Sequence, residues 1–253
     1  MHNYLLVISY KGYVFKGSQI QKDLPTAQKL IQDKLAIIFD KPIKVRPCSR
    51  LDALVHAYEW GVNFRVEECK LTPSRLKYSL NRLLDETMYI KDVIEVGEDF
   101  DSRYDAKEKT YLYIVNLNEL DPIRSDLEYT PLFKPDIKVL EETLNLYVGK
   151  HDFSSFTSEK DDDPIKTIKS VSLDITSSNR IEIRIKGTSF LRYQVRFMVG
   201  AALEVASSRL DKIELINRLN GTTKSVLKYK APAKALYLEK VEYDFKRCEN
   251  VKS

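Results

Sequence analysis

Residues 49–57 read Ser-Arg-Leu-Asp-Ala-Leu-Val-His-Ala, which sets a single carboxylate, Asp52, two places after Arg50 at the foot of a predicted strand. A well-placed carboxylate can act as a nucleophile, and a neighbouring arginine favours its ionised form. The same Arg-x-Asp pattern between apolar residues also serves as a structural ion pair. His56 follows Asp52 by four residues, but along a strand that spacing separates the two side chains by about 13 Å, too far for a base and its nucleophile. Arg192 and Arg196, four apart on a predicted apolar helix, share one face and call for anionic partners, either a carboxylate such as Asp52 or a phosphate. Tyr111 and Tyr113 alternate on a predicted strand, so their rings lie on one face, as a platform for a nucleic-acid base or as core.

Other chemistries lack their residues. No Gly-rich phosphate loop, Ser-His-Asp constellation or His-Glu-x-x-His motif occurs, so nothing in the sequence calls for a cofactor. The three cysteines, Cys48, Cys69 and Cys248, are widely spaced with no Cys-x-x-Cys, which supports neither a disulfide framework nor a zinc knuckle and suits a reducing cytoplasm. His151 has no Glu or Cys at ligand spacing and reads as a loop or cap residue; no metal is expected. Asp161-Asp162-Asp163 before Pro164 reads as a turn. A carboxylate-dependent glycoside hydrolase would need a second acid facing Asp52, and none is evident.

At 253 residues the chain can hold one large domain or two small ones. Its net charge of +4 is modest, but its distribution is uneven. Between 215 and 238 there is no acid, while Arg218, Lys224, Lys228, Lys230 and Lys234 accumulate beside Tyr229 and Tyr237. Such a tract suits a polyphosphate backbone with exposed bases, or is a solvated lysine-rich face. The N-terminus lacks the charged flank and apolar length of a signal peptide, and no apolar run reaches membrane-span length. A protein without membrane contact is expected.

The elements that would position these residues follow from periodicity and capping. The pattern predicts a strand over 4–10, a helix from Pro25-Thr26 to 39, strands over 43–48 and 58–66, a helix capped by Thr72 with Pro73 at its first position, and a strand over 88–96. That order, βαββαβ, is the ferredoxin-like unit. The second half gives a strand over 110–117, a helix over 137–148 stopped by Gly149, strands over 168–175 and 181–185, a long apolar helix over 190–206, a helix over 211–219 and a last strand over 236–243. The fold class is therefore α+β, with an N-terminal subdomain over 1–104 carrying Asp52 and a C-terminal subdomain over 105–253 carrying the tyrosines, the arginine helix and the basic tract. Two such antiparallel sheets can join edge to edge and leave a central cleft at the seam, where ligand sites concentrate.

The residues at Asp52 resemble the Gly-Arg-Thr-Asp-Ala-Gly-Val-His-Ala signature of the tRNA pseudouridine synthase A family. Five further blocks are similar in order and spacing. Tyr10-Lys11-Gly12 and Gly17-Ser18-Gln19-Ile20-Gln21 resemble Tyr-Asp-Gly and Gly-Trp-Gln-x-Gln. The run from Phe100 to Ala106, leading into Tyr111-Leu112-Tyr113, is similar to Phe-x-Ala-Arg-x-x-Ala and Tyr-x-Tyr. Gly149-Lys150-His151-Asp152-Phe153 with Phe156, the run Gly187-Thr188-Ser189-Phe190-Leu191 with Val195-Arg196 and Gly200, and Ala231-Pro232 with Leu236-Tyr237-Leu238 complete the set.

The resemblance implies the pseudouridine synthase fold and an isomerase that converts uridine to pseudouridine in RNA, typically in the tRNA anticodon stem-loop, as a cytoplasmic homodimer without cofactor. Carried over by position, Asp52 would be the nucleophile, Tyr111 would stack on the target uracil, Arg50 would help displace the flipped base, and Arg196 would pair with the Asp52 carboxylate. Arg192, Lys224, Lys228, Lys230 and Lys234 would contact RNA. Ribosomal RNA as substrate, or a catalytically silent RNA-binding protein on the same scaffold, are the alternatives. The chain departs from the family pattern at Ser49 for Gly, Leu51 for Thr, Leu54 for Gly, Glu59-Trp60 for Gly-Gln, Ser18 for Trp and Ala235 for Gly. Two lost glycines restrict the nucleophile loop, which leads us to expect a different backbone path there.

Overall fold

Thr26 and Thr72 start helices where the sequence puts caps. The hydroxyl of Thr26 accepts the Lys29 N–H at 3.4 Å and that of Thr72 accepts the Arg75 N–H at 3.3 Å, which satisfies a donor that the first turn leaves open. The computed structural model describes residues 1–160 and 163–245. Two compact units divide it: Met1–Lys107 together with the stretch from Tyr237, and Glu108–Leu236.

In the first unit β1 (His2–Tyr10), α1 (Ala27–Phe39), β2 (Val45–Pro47), β3 (His56–Val66), α2 (Pro73–Leu83) and β4 (Met88–Val96) follow the predicted βαββαβ order. The sheet runs β4-β1-β3 with β2 on the far edge of β3, antiparallel throughout these pairs. Tyr4, Ile8, Tyr10, Trp60, Val62 and Phe64 are buried with Ile31 and Leu35 of α1 and with Leu76 and Leu80 of α2. Each such side chain contributes about 1.5–3 kcal/mol by leaving water.

The second unit holds β5 (Ala106–Asn116, shared at its start with the first), α3 (Ile137–Asn145), β6 (Gly149–Asp152), β7 (Ile165–Ile175), β8 (Arg180–Gly187), α4 (Gln194–Ala206) and α5 (Lys212–Leu219). Its strands pair antiparallel in the order β5-β8-β7-β6. Two predicted helices are shorter than their apolar patterns suggest. Beyond Asn145 the backbone tightens into bonds spanning three residues, from Tyr147 N to Leu144 O and from Val148 N to Asn145 O; α3 therefore ends early, and Gly149 opens β6 instead of only stopping a helix. At the other helix, Tyr193 takes a left-handed φ of 64° and Gln194 Oε1 accepts the Leu191 N–H at 2.8 Å. Residues 191–193 thus form a turn, and α4 starts at Gln194.

The last strand, β9 (Leu236–Tyr243), has the bounds that the sequence predicts. It pairs in parallel with the start of β3, His56 opposite Tyr237 and Ala57 opposite Leu238, and from Tyr237 it groups with the first unit. Asp161, Asp162 and Cys248 lie outside the described residues; Asp163 pairs with Lys166 at 3.0 Å. Among the described residues no helix is long and apolar enough to cross a membrane.

A buried carboxylate anchors the long connection between β5 and α3. Glu128 is 2% exposed and receives Arg180 through Nε at 2.5 Å and Nη2 at 3.0 Å, and Arg124 through Nε at 3.2 Å. Burial alone would raise its pKa, but the two arginines outweigh burial and hold the carboxyl below the ordinary glutamate range. A depressed pKa contributes stability that is present above the unfolded-state value and lost as pH falls through the folded one. Glu128→Gln should therefore cost about 2–3 kcal/mol in urea unfolding at pH 7, and the gap from wild type should shrink below about pH 4. An equal gap at both pH values would contradict this account.

Candidate active site

Asp52 lies in the loop 48–55 that leads into β3, and the loop is held from several directions. Its own turn closes through the Val55 N–H on the Asp52 carbonyl at 3.2 Å. Ser18 grips Leu51 twice, donating its N–H to the Leu51 carbonyl at 2.9 Å and accepting the Leu51 N–H on Oγ at 2.7 Å. Trp60 donates Nε1–H to the Ser49 carbonyl at 3.0 Å. Gly12 comes so close that a Cβ there would stand 2.2 Å from the Val55 carbonyl oxygen, and Gly17, at φ 102°, approaches the Leu51 carbonyl. Leu51 is buried, Asp52 half-buried, and Arg50 and Leu54 exposed, so the loop turns Leu51 inward and Arg50 out.

Leu54, one of the two positions where the family pattern has glycine, carries a glycine-like backbone conformation. This residue occupies the third position of the turn with φ 71°, the left-handed conformation that favours glycine. The backbone thus keeps a glycine-type path and carries a leucine at a cost of about 1 kcal/mol.

His56 is buried and its Nδ1 accepts the Gly12 N–H at 3.1 Å. That bond makes it a strut between the first loop and β3 and leaves Nδ1 unprotonated. Its ring stacks on Tyr237 at 4.6 Å, and Tyr237 in turn stacks on the exposed Tyr58 at 5.3 Å. The Phe100–Arg103 block, carried by the family resemblance, proves to be a tie: Ser102 N–H donates to Asn63 Oδ1 at 2.9 Å, and Asn3 Nδ2 donates to the Phe100 carbonyl at 2.9 Å. Only the long-range pairing of β1 with β3 reveals that role.

In the second unit Tyr111 and Tyr113 do share a face of β5 but differ in role. Tyr113 is fully buried and donates its hydroxyl to the Pro232 carbonyl at 3.0 Å; burial pushes its pKa well up. Tyr111 is 8% exposed and meets Phe190 edge to face at 5.0 Å. Arg196, in the first turn of α4, donates Nε–H to the Ala231 carbonyl at 2.9 Å while its own carbonyl accepts the Ala231 N–H at 3.0 Å. Gly200, one turn on, admits the chain at 229–231, since a Cβ there would lie 2.3 Å from the Tyr229 carbonyl oxygen. The Ala-Pro block is thereby fastened to the arginine helix.

Arg192 does not share a helix face with Arg196 as expected. It sits in the turn before α4, exposed, and pairs with Glu159. Both guanidinium groups nonetheless approach the Tyr193 ring, at 4.7 Å for Arg192 and 5.5 Å for Arg196, with Lys230 Nζ at 4.3 Å. In the basic tract, Lys224, Lys228 and Lys230 are exposed and Lys234 half-buried. Arg218 is buried, bonded to Glu214 and to the Ser225 carbonyl, and belongs to the scaffold. His151 lies on β6, where Nε2 meets the Val148 carbonyl at 3.1 Å, so it is a strand residue and not a loop residue. Asp52 and Arg50 thus belong to one unit, and Tyr111, Arg192, Arg196, Lys224, Lys228, Lys230 and Lys234 to the other.

Gly12→Ala should lower unfolding stability by about 2 kcal/mol or more, because the new methyl meets backbone. Leu54→Gly should stay within about 1 kcal/mol of wild type, relief of strain offsetting added unfolded-state freedom. Denaturant titrations of both variants check this pair; a neutral Gly12→Ala would refute the close approach.

A family model described as tRNA pseudouridine synthase matches residues 144–244. The tRNA pseudouridine synthase A of Mycoplasmoides gallisepticum is 34% identical over 242 residues, 96% of this chain and 91% of that protein. The tRNA pseudouridine synthase A 2 of Bacillus cereus is 35% identical over 246 residues, 96% and 100% of the two lengths. The tRNA pseudouridine synthase A of Aquifex aeolicus is 34% identical over 243 residues, 95% and 99% of the two lengths. Among solved structures, one titled as a Cbf5-Nop10-Gar1 complex aligns at 10% identity and a TM-score of 0.35 over 79% of this chain and 45% of that one, too distant to build on. Identity of about a third along almost the full length of three bacterial proteins is a likeness of the whole chain and not of one motif, and it shows that the chain belongs to the tRNA pseudouridine synthase A family.

Proposed function

We propose that this protein isomerises uridine to pseudouridine in the anticodon stem-loop of tRNA, in the cytoplasm, with Asp52 as the nucleophile. The observation that carries the reading is the loop 48–55: a half-buried carboxylate on a turn whose backbone is fixed by Ser18, Trp60, Gly12 and Gly17. A nucleophile held this way loses little freedom on reaching the reacting atom.

The reaction breaks the bond from ribose C1′ to uracil N1 and forms one from C1′ to C5. The Asp52 carboxylate bonds to the bound nucleotide and the C1′–N1 bond breaks; the freed ring turns in place, C5 bonds to C1′, the bond to Asp52 breaks and restores the carboxylate, C5 loses its proton and N1 gains one. All atoms of the nucleotide are kept and no net oxidation occurs. Uracil in a stem must first leave its stack, which costs a few kcal/mol. Arg50, exposed two residues before Asp52, is the group that displaces the flipped base. Tyr111, held edge-on by Phe190, lies against the uracil. Arg196, its guanidinium plane set by the Ala231 carbonyl, steadies negative charge during the exchange. The exposed Lys224, Lys228 and Lys230, with Arg192 and Lys234, take the RNA backbone.

The protein acts as a homodimer in this reading. Its support is the connection between β5 and α3, where Ile123 and Leu132 are 91% and 92% exposed beside Leu120 and Phe133; sedimentation of the full chain should give twice the monomer mass, and a monomer at micromolar concentration would remove the dimer.

Incubation with total RNA from a strain lacking the protein, followed by pseudouridine mapping, should add sites in tRNA anticodon stem-loops. Asp52→Asn should lower turnover by about a thousandfold or more while tRNA affinity holds. New sites in ribosomal RNA, or none, would overturn the assignment. Replacing Lys228 and Lys230 by Ala should weaken tRNA binding and flatten the log–log salt dependence by about one to two units; an unchanged slope would take these lysines off the RNA path.

A further inference from the structure

Ser18 and Trp60 lie 42 positions apart in the sequence and act on the same short stretch of backbone. Ser18 fixes Leu51 through both its N–H and its hydroxyl, at 2.9 and 2.7 Å, and Trp60 fixes the Ser49 carbonyl at 3.0 Å. The residues so held flank Arg50, and the next residue along is Asp52. Both side chains are inaccessible to an RNA, at 1% and 0% exposure, so any effect on the reaction passes through the loop. Each is referenced to a rigid element. The Ser18 carbonyl accepts the Gln28 N–H in the first turn of α1 at 3.0 Å, and the indole of Trp60, on β3, meets Tyr10 of β1 edge to face at 5.4 Å.

We infer that Ser18 and Trp60 are positioning residues for Asp52: together they fix the backbone on either side of Arg50, the stretch that leads into the nucleophile. The inference rests on the reading of Asp52 as nucleophile. Ser18→Ala removes the acceptor of the Leu51 N–H, and Trp60→Phe removes the donor to Ser49 while keeping a ring.

The test measures pseudouridine formation on a transcribed tRNA, tRNA affinity and thermal unfolding for Ser18→Ala, Trp60→Phe and Asp52→Asn. Each truncation should lower kcat about tenfold while KM and tRNA Kd stay within about twofold and the protein remains folded at the assay temperature. Truncations with wild-type kcat, or truncations whose loss matches a loss of folded protein, would each overturn the proposal. Asp52→Asn separates the two levels: if it is inactive while the truncations are unaffected, only the clamp fails; if it turns over normally, the nucleophile reading fails and the clamp with it.

Discussion

The segment after β1 lies directly against the loop before β3, and the backbone of the candidate nucleophile depends on that approach. Gly12 stands where a methyl would meet the Val55 carbonyl at 2.2 Å, and its N–H reaches the buried His56 ring at 3.1 Å. Five positions later Gly17 and Ser18 meet Leu51. The loop 48–55 has no helix or strand of its own, so its shape is a property of these distant contacts. A loop of this kind is ordered only as well as the segment pressed on it, which makes residues 12–18 part of the site although none of them carries reactive chemistry.

This constraint explains why a leucine is tolerated in a left-handed turn. The cost of Leu54 at φ 71° is about 1 kcal/mol, whereas moving the turn would break the Val55–Asp52 bond, both Leu51 contacts and the Trp60 bond to Ser49. Several hydrogen bonds at about 1 kcal/mol each outweigh one strained dihedral. The leucine at this turn therefore costs less than releasing the contacts that hold it.

What could be read from the sequence divides along the same line. Features fixed by neighbours a few residues away were legible: the caps at Thr26 and Thr72, the Pro73 start of α2, the bounds of β4 and the βαββαβ order of the first unit. The candidate carboxylate was legible too, through the motif around Asp52. Features fixed by dihedrals or distant partners were not. Nothing in the letters of Leu191-Arg192-Tyr193 shows that Tyr193 turns left-handed and takes Arg192 off the helix. The apolar run through Val148 looks helical, although its last bonds span three residues. The pairing of β9 with β3 needs the whole sheet, and the buried role of Arg218 needs the fold of the tract around Ser225.

Three positions where this chain differs from its family pattern, Ser18, Leu51 and Trp60, are buried, whereas Leu54 and the charged Arg50 are exposed and Asp52 half-buried. Those three lie in the packing that supports the loop, and not among the groups that would face a nucleotide. Changed support can alter how firmly Asp52 is held, but an RNA cannot read a side chain at 0% or 1% exposure. Discrimination between RNAs has to arise on surfaces an RNA can touch, and the acid-free stretch with exposed Lys224, Lys228 and Lys230 is such a surface. Under the proposed function, the rate of the chemistry and the choice of substrate therefore fall to different residues, one set inside the loop's packing and the other in open solvent.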